Sequence, residues 1–150
     1  MNLKKLLKDI GLMGISQRCC NFSAAGTSLD QMNPKSVDYY PILFNSPTGN
    51  HRVKENTTEY EITLYWIDRL LEDNTNDIDI FSNSIEQLKN IIIGIRTING
   101  VVDVSDEYTI KNFTSTEAMN DRVAGAYAIV HVTVLNDTIC YIEGEELGNE

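Results

Sequence analysis

Along "NTTEYEITLYWIDR", Asn56 to Arg69, Tyr60, Ile62, Leu64 and Trp66 share one face, and Glu59, Glu61 and Thr63 take the other. A period of two marks a strand with one buried and one wet side. Tyr65 and Ile67 add apolar bulk to the polar face, so the far side of the sheet is expected to be covered there. A bend at Asp68 and Arg69 is expected to lead into the polar loop "LLEDNTNDID". A second long alternation runs from about Val123 to Leu135. There Ala124, Ala126, Ala128, Val130, Val132 and Val134 fall on one face, with Gly125, Tyr127, Ile129, His131 and Thr133 on the other.

Between these strands the period lengthens to about 3.6. In "IFSNSIEQLKNIIIGIRTING", Phe81, Ile85, Leu88, Ile92 and Ile95 line one side of a helix, and Asn99-Gly100 supplies a stop. Asp77 or Asp79 is expected to cap its start, where free amides and the positive dipole end favour an anion. Ile91 to Ile93 make the helix apolar on more than one side, so it is expected to be sandwiched. The facing row of alanines permits close approach. The opening "MNLKKLLKDIGLMG" reads as a short amphipathic helix, with Leu3, Leu6, Leu7 and Ile10 on one face and Gly11 and Gly14 ending it.

Weaker patterns fill the remainder. "SQRCCNFSAAGTSLDQMNPKS" is expected to be irregular with one short strand. A short strand around Ile42, Leu43 and Phe44 is opened by Pro41, which lacks a ladder donor, and closed by Ser46 to Asn50. "VSDEYTIKNFTS" reads as a strand with Tyr108 and Ile110 on one face. This order predicts an α+β fold: a mainly antiparallel sheet with helices packed on one face. Residues 1–142 are expected to form a single domain with an N-terminal helix, and residues 143–150 an acidic tail of disordered composition. The expected core is Ile62, Leu64, Trp66, Phe81, Ile85, Leu88 and Ile92.

Composition narrows the function. With 150 residues, 42% of them hydrophobic, the chain is long enough to bury a core without staples. Asp and Glu outnumber Lys and Arg by 22 to 12, a formal charge of -10. Tight binding to nucleic acid needs cations that displace counterions from phosphates, so it is disfavoured; a wall past which DNA slides is not. Cys19, Cys20 and Cys140 make neither a complete disulfide framework nor a metal spacing, and read as reduced, small apolar residues. Lys8 and Asp9 interrupt the first apolar run, and no run is long enough to span a bilayer.

The search for reaction chemistry returns little. His51 reads as a turn residue and His131 as a strand residue facing a partly wet surface, with no nucleophile elbow near either. The glycines form no phosphate-binding loop. Asp73, Asp77 and Asp79 are the one carboxylate set suited to a hard cation, although the central Gly and closing Glu of a calcium loop are missing. The chain is therefore read as a non-enzyme without a cofactor. A small metal-binding module on those aspartates, or a host adaptor binding a peptide by strand addition, are the alternatives.

Three segments, "YPILFNSPTG", "NTTEYEITLYWIDRLLEDNTNDIDIFSNSIEQLKNII" and "NDRVAGAYAIVHVTV", resemble in their order the small head-to-tail connector proteins of tailed bacteriophages. These are tail-completion or tail-terminator-like neck proteins, and the likeness is greatest to those of crAss-like phages. The resemblance spans about Tyr39 to Tyr141. It implies a tail-terminator-like fold and a structural virion protein, assembled in the host bacterial cytoplasm. Copies of it would form a ring of about twelvefold or sixfold symmetry. The ring's neighbours would be the portal or an adjacent neck ring and tail proteins, with DNA passing through unread and no membrane contact. In that setting the subunit and partner contacts are expected at His51, Arg52 and Lys54 of the "SPTGNHRVKEN" hairpin, at Glu72, Asp73, Asn74 and Asp77 near the "EDNTND" loop, and at both termini.

Overall fold

The computed structural model describes residues 1–29, 39–71, 75–115 and 122–137. Within them the chain runs α1 (Leu3–Ser16), β1 (Phe22–Ala25), β2 (Ile42–Val53), β3 (Thr57–Arg69), α2 (Asp77–Ile95), β4 (Val101–Val104), β5 (Ile110–Ser115) and β6 (Val123–Leu135). The fold is α+β: one mostly antiparallel sheet and two helices. Strand order is β1-β2-β3-β6-β4, with β5 also paired to β6. Only β1 and β2 run parallel; the other pairs are antiparallel.

The two long alternating segments form the centre of this sheet. β3 and β6 pair without a bulge from Thr57↔Leu135 to Arg69↔Val123. Their shared register puts Ile62, Leu64 and Trp66 on the same side as Ala126, Ala128 and Val130, where they are buried in one core with Leu6 and Ile10 of α1 and Leu88, Ile91, Ile92 and Ile95 of α2. Both helices pack on this face. The far edge of β6 is divided: β5 pairs with Val123 to Ala128 and β4 with Val132 to Val134. Ser105 bridges the gap, its amide donating to the His131 carbonyl at 3.0 Å and its hydroxyl oxygen accepting from the His131 amide at 2.7 Å.

A smaller core lies on the opposite face. Ile42, Phe44, Ile67 and Val123 are buried there under Tyr40, with Phe22, Tyr39 and Leu29 packed against them. This is the covering that the apolar break at Tyr65 and Ile67 anticipates. Phe22 and Tyr39 stack with ring centroids 4.6 Å apart.

Several local expectations need correction. Gly11 and Gly14 do not end α1; the helix continues through both to Ser16. They are buried where β1 and β2 approach: a Cβ on Gly11 would stand 2.0 Å from Ser23 Oγ, and one on Gly14 would stand 3.0 Å from Leu43 Cδ2. Their sequence signal is close packing rather than termination. β2 does not close at Ser46 but runs on to Val53, absorbing Pro47 to Asn50 as a register irregularity where Gly49 takes φ of 93°. His51 accordingly lies in a strand, not a turn. The segment from Val104 to Ser115 is not one strand, since Ser105 to Thr109 separate β4 from β5.

At the start of α2 the cap position is Asn76, and neither Asp77 nor Asp79 occupies it. Asn76 turns its side chain backward, accepting from the Leu71 amide at 2.9 Å and donating to the Arg69 carbonyl at 3.2 Å, so it ties the helix to the end of β3. Asp77 and Asp79 instead put negative charge in the first turn, beside the positive dipole end. α2 ends at Ile95 rather than at Asn99-Gly100, and Gly100 takes φ of 98° in the turn into β4. Among the predicted core residues, Ile62, Leu64, Trp66, Leu88 and Ile92 are buried, whereas Phe81 and Ile85 are half-buried at the margin. Of the three consecutive isoleucines, Ile91 and Ile92 are inside and Ile93 is 62% exposed. The acidic tail expected at 143–150 lies outside the described residues.

Candidate functional site

Among the described residues, a cluster of titratable side chains sits on the helix-free face, at the hairpin end of the sheet. His131 lies directly across from Glu61, two residue pairs along the ladder from Glu59. Because alternate residues of β3 point the same way, both carboxylates reach the imidazole. Glu59 Oε2 is 2.8 Å from Nδ1 and Glu61 Oε2 is 3.3 Å from Nε2. Both contacts are N–H donations only in the imidazolium form, since a neutral ring donates from one nitrogen alone. The irregular part of β2 supplies two more donors to Glu61 Oε1: the Thr48 hydroxyl at 2.6 Å and Asn50 Nδ2 at 2.9 Å. These hydrogen bonds, Thr48 first and Asn50 second, hold the Glu61 carboxyl below the usual range. Asn50, His51 and Arg52 complete the walls of a shallow cleft of about 230 Å³ over this network.

The order of groups decides what the cluster can do. In a nucleophilic triad the imidazole stands between hydroxyl and carboxylate, so that it takes the hydroxyl proton. Here the Glu61 carboxylate stands between Thr48 and His131. The imidazole cannot reach the hydroxyl proton, and Thr48 is held as a donor. Nor do Glu59, Glu61 and His131 share a point where a cation would meet all three, because the two ring nitrogens face different carboxylates. Among the described residues no group of three His, Cys, Asp or Glu is placed to hold a metal ion. The network works as a strut: it fastens β2, β3 and β6 together on the wet face.

The contact residues expected from the sequence occupy two separate places. His51 and Arg52 border the cleft, and the His51 ring stands edge-on to Tyr60 with centroids 5.4 Å apart. Lys54 lies at the hairpin tip, where Asn136 Nδ2 donates to the Lys54 and Glu55 carbonyls at 3.0 and 3.2 Å. Asp77 opens α2 beside the other end of β3. The 13 residues of β3, at about 3.3 Å each, separate the two places by about 40 Å. Glu72, Asp73 and Asn74 lie outside the described residues, as do the C-terminal residues; Asp73 also belonged to the candidate cation set.

Ser105 and Asn136 are the residues that sequence reasoning passed over. Both are short polar side chains at strand ends, and their only sequence signal is that such residues bond backbone groups where ladders stop. Cys19 and Cys20 are buried. Burial raises the Cys19 thiol and, joined by the neighbouring Cys19, pushes Cys20 up to about 12, so neither is a ready thiolate. Cys140 lies outside the described residues. No helix among the described residues is long and apolar enough to cross a membrane. Set beside known proteins, the sequence matches no protein-family model and no curated protein.

Proposed function

We propose that this chain is a structural subunit of a homo-oligomeric ring in the neck of a tailed bacteriophage, set between portal and tail around the channel through which the genome passes. The observation that carries the reading is the sheet's construction. Its long central pair is paired on both sides, while β1 at one end and β4 with β5 at the other are short strands that pair on one side only among the described residues. Open strand edges offer backbone donors and acceptors that take another strand whatever its side chains. Two different edges on one subunit suit a head-to-tail contact, which closes into a ring when its rotation divides a full turn.

Two further features support it. The resemblance of the three ordered segments to neck proteins covers β3 and most of β2, α2 and β6. A formal charge of -10 keeps a channel wall from gripping the phosphates that slide past it. A host adaptor that adds a peptide strand at the β1 edge is the second reading, favoured by the apolar groove beside that strand.

Immunogold electron microscopy of intact particles tests the proposal. Label is expected at the junction of head and tail. Label on the capsid shell or fibres, or particles that lack the chain altogether, would overturn it.

A further inference from the structure

We propose that Asn99 is a site of spontaneous covalent modification, where the side-chain amide becomes a carboxylate through a cyclic imide formed with the Gly100 nitrogen. Such chemistry needs an asparagine amide that nothing holds and a following backbone nitrogen that no side chain shields. The turn between α2 and β4 supplies both. The Val101 amide donates to the Ile98 carbonyl at 3.1 Å, so Asn99 and Gly100 are the central pair of a β-turn. Gly100 takes φ of 98° at the second central position, the left-handed region that favours glycine. The nitrogen joining the pair is the one such a turn leaves out of its own hydrogen bond. Among the described residues, neither that amide nor the Asn99 side chain forms a hydrogen bond, and Asn99 is exposed. Asn99 is also the one asparagine of the chain that precedes a glycine. Others are restrained: Asn50 Nδ2 donates to Glu61 at 2.9 Å, Asn112 Nδ2 to Ser84 Oγ and the Gly125 carbonyl at 3.1 Å each, and Asn136 Nδ2 to the Lys54 carbonyl at 3.0 Å. Each of these precedes a residue that carries a side chain.

The reaction balances with water alone. The Gly100 nitrogen gives its proton to hydroxide and attacks Asn99 Cγ. As the N–Cγ bond forms, the Cγ–Nδ2 bond breaks, and Nδ2 leaves as ammonia after taking a proton from water. Water then opens the imide at either of its carbonyl carbons. Opening at Cγ leaves aspartate, whereas opening at the former peptide carbonyl leaves isoaspartate, whose main chain runs through Cβ and Cγ. The surroundings of the turn give the second product its consequence. The Gly100 carbonyl accepts from the Leu135 amide at 3.0 Å, and the Met1 side chain lies over Gly100, where an added Cβ would stand 3.0 Å from Met1 Cε. An extra methylene in the main chain displaces that carbonyl, so the start of β4 loosens from the end of β6.

Ageing the full chain in mildly alkaline buffer, folded and in urea side by side, tests this. Each asparagine is followed by peptide mapping with fragmentation that separates aspartate from isoaspartate. In the folded chain Asn99 is expected to convert ahead of Asn50, Asn112 and Asn136, with isoaspartate among its products. Its rate is expected to stay within a few-fold of that in urea, whereas those three convert many-fold more slowly folded than unfolded. Asn99→Gln, a change confined to an exposed turn, is expected to abolish conversion at that position, because its longer side chain closes a less favourable ring. In the aged fraction isolated by ion exchange, the Leu135 amide is expected to exchange its hydrogen faster than in the fresh chain. An Asn99 that outlasts any of the three bonded asparagines, or that yields aspartate with no isoaspartate, overturns the proposal. Unchanged exchange at Leu135 overturns the loosening of β4 and leaves the modification standing.

Discussion

Trp66 is buried against the helix-bearing side of the sheet, and its indole nitrogen donates to the Cys19 carbonyl at 2.8 Å. That single bond pins the segment leaving α1 to the central strand. Trp66→Phe keeps an aromatic side chain but removes the indole N–H and leaves a buried carbonyl unpartnered, an expected loss of about 1–3 kcal/mol in urea unfolding followed by far-UV circular dichroism. Trp66→Asp is expected not to fold, because truncating the ring costs about 3–5 kcal/mol and the unpartnered charge a similar amount, together comparable to the roughly 5–15 kcal/mol of a whole domain. Glu61 behaves differently because its fold-dependent bonds favour the charged form. A carboxyl lowered on folding adds stability above its unfolded pKa and loses it as pH falls through the folded one. NMR titration of the Glu61 carboxyl is expected to show a midpoint below the ordinary glutamate range, and Thr48→Ala with Asn50→Ala to move it upward. The alternation made Trp66 legible as a core residue; nothing in it pointed to Cys19 as the partner, since 47 positions separate them.

Two glycines show how differently one residue type can serve an element. At Gly11 an added methyl meets the Ser23 hydroxyl, the end of a side chain that can turn away. Alanine also favours helix over glycine by about 0.8–1.0 kcal/mol. Gly11→Ala is therefore expected to shift stability by less than about 1 kcal/mol. At Gly125 the methyl would stand 1.9 Å from the Trp66 carbonyl oxygen and 3.1 Å from Ile67 Cα, both backbone of the paired strand. Relief there requires opening the β3–β6 ladder, so Gly125→Ala is expected to cost more than about 3 kcal/mol. Thermal melts of the two variants side by side check the contrast. Sequence pattern located α1, β3, α2 and β6 because each is long enough for its period to repeat. It misjudged the ends of α1, α2 and β2, because a glycine or proline marks both a stop and a close approach.

Pairing on both sides protects β3 and β6 along the middle of the sheet, whereas β1, β4 and β5 have one paired side among the described residues. Hydrogen exchange is expected to rank accordingly. Amides of Ile62 to Leu64 and Ala128 to Val130 should exchange only with global unfolding, and those of β1 and β4 by local opening. Exchange at β1 as slow as at β3 in a dilute monomer would mean that its edge is covered, and would count against an open docking strand. The same arrangement explains why the expected contact residues do not converge: the hairpin tip and the start of α2 belong to opposite ends of one strand. What does gather on the molecule is charge, basic on α1 and acidic around β4.

The chain's own pattern of apolar and polar positions was sufficient for the α+β class, for which sides of the long strands and helices face inward, and for the weak electrostatic case for gripping nucleic acid. These follow from periodicity and composition, which are local or additive. The fold alone decided that His131, Thr48 and Asn50 gather around Glu61, that Ser105 closes the divided edge of β6, and that β1 and β4 stand at opposite ends of the strand order. Each depends on strand order and register between segments distant in sequence. No run of neighbouring residues encodes that, because backbone pairing is indifferent to side chains and is settled only when the cores on both faces close together.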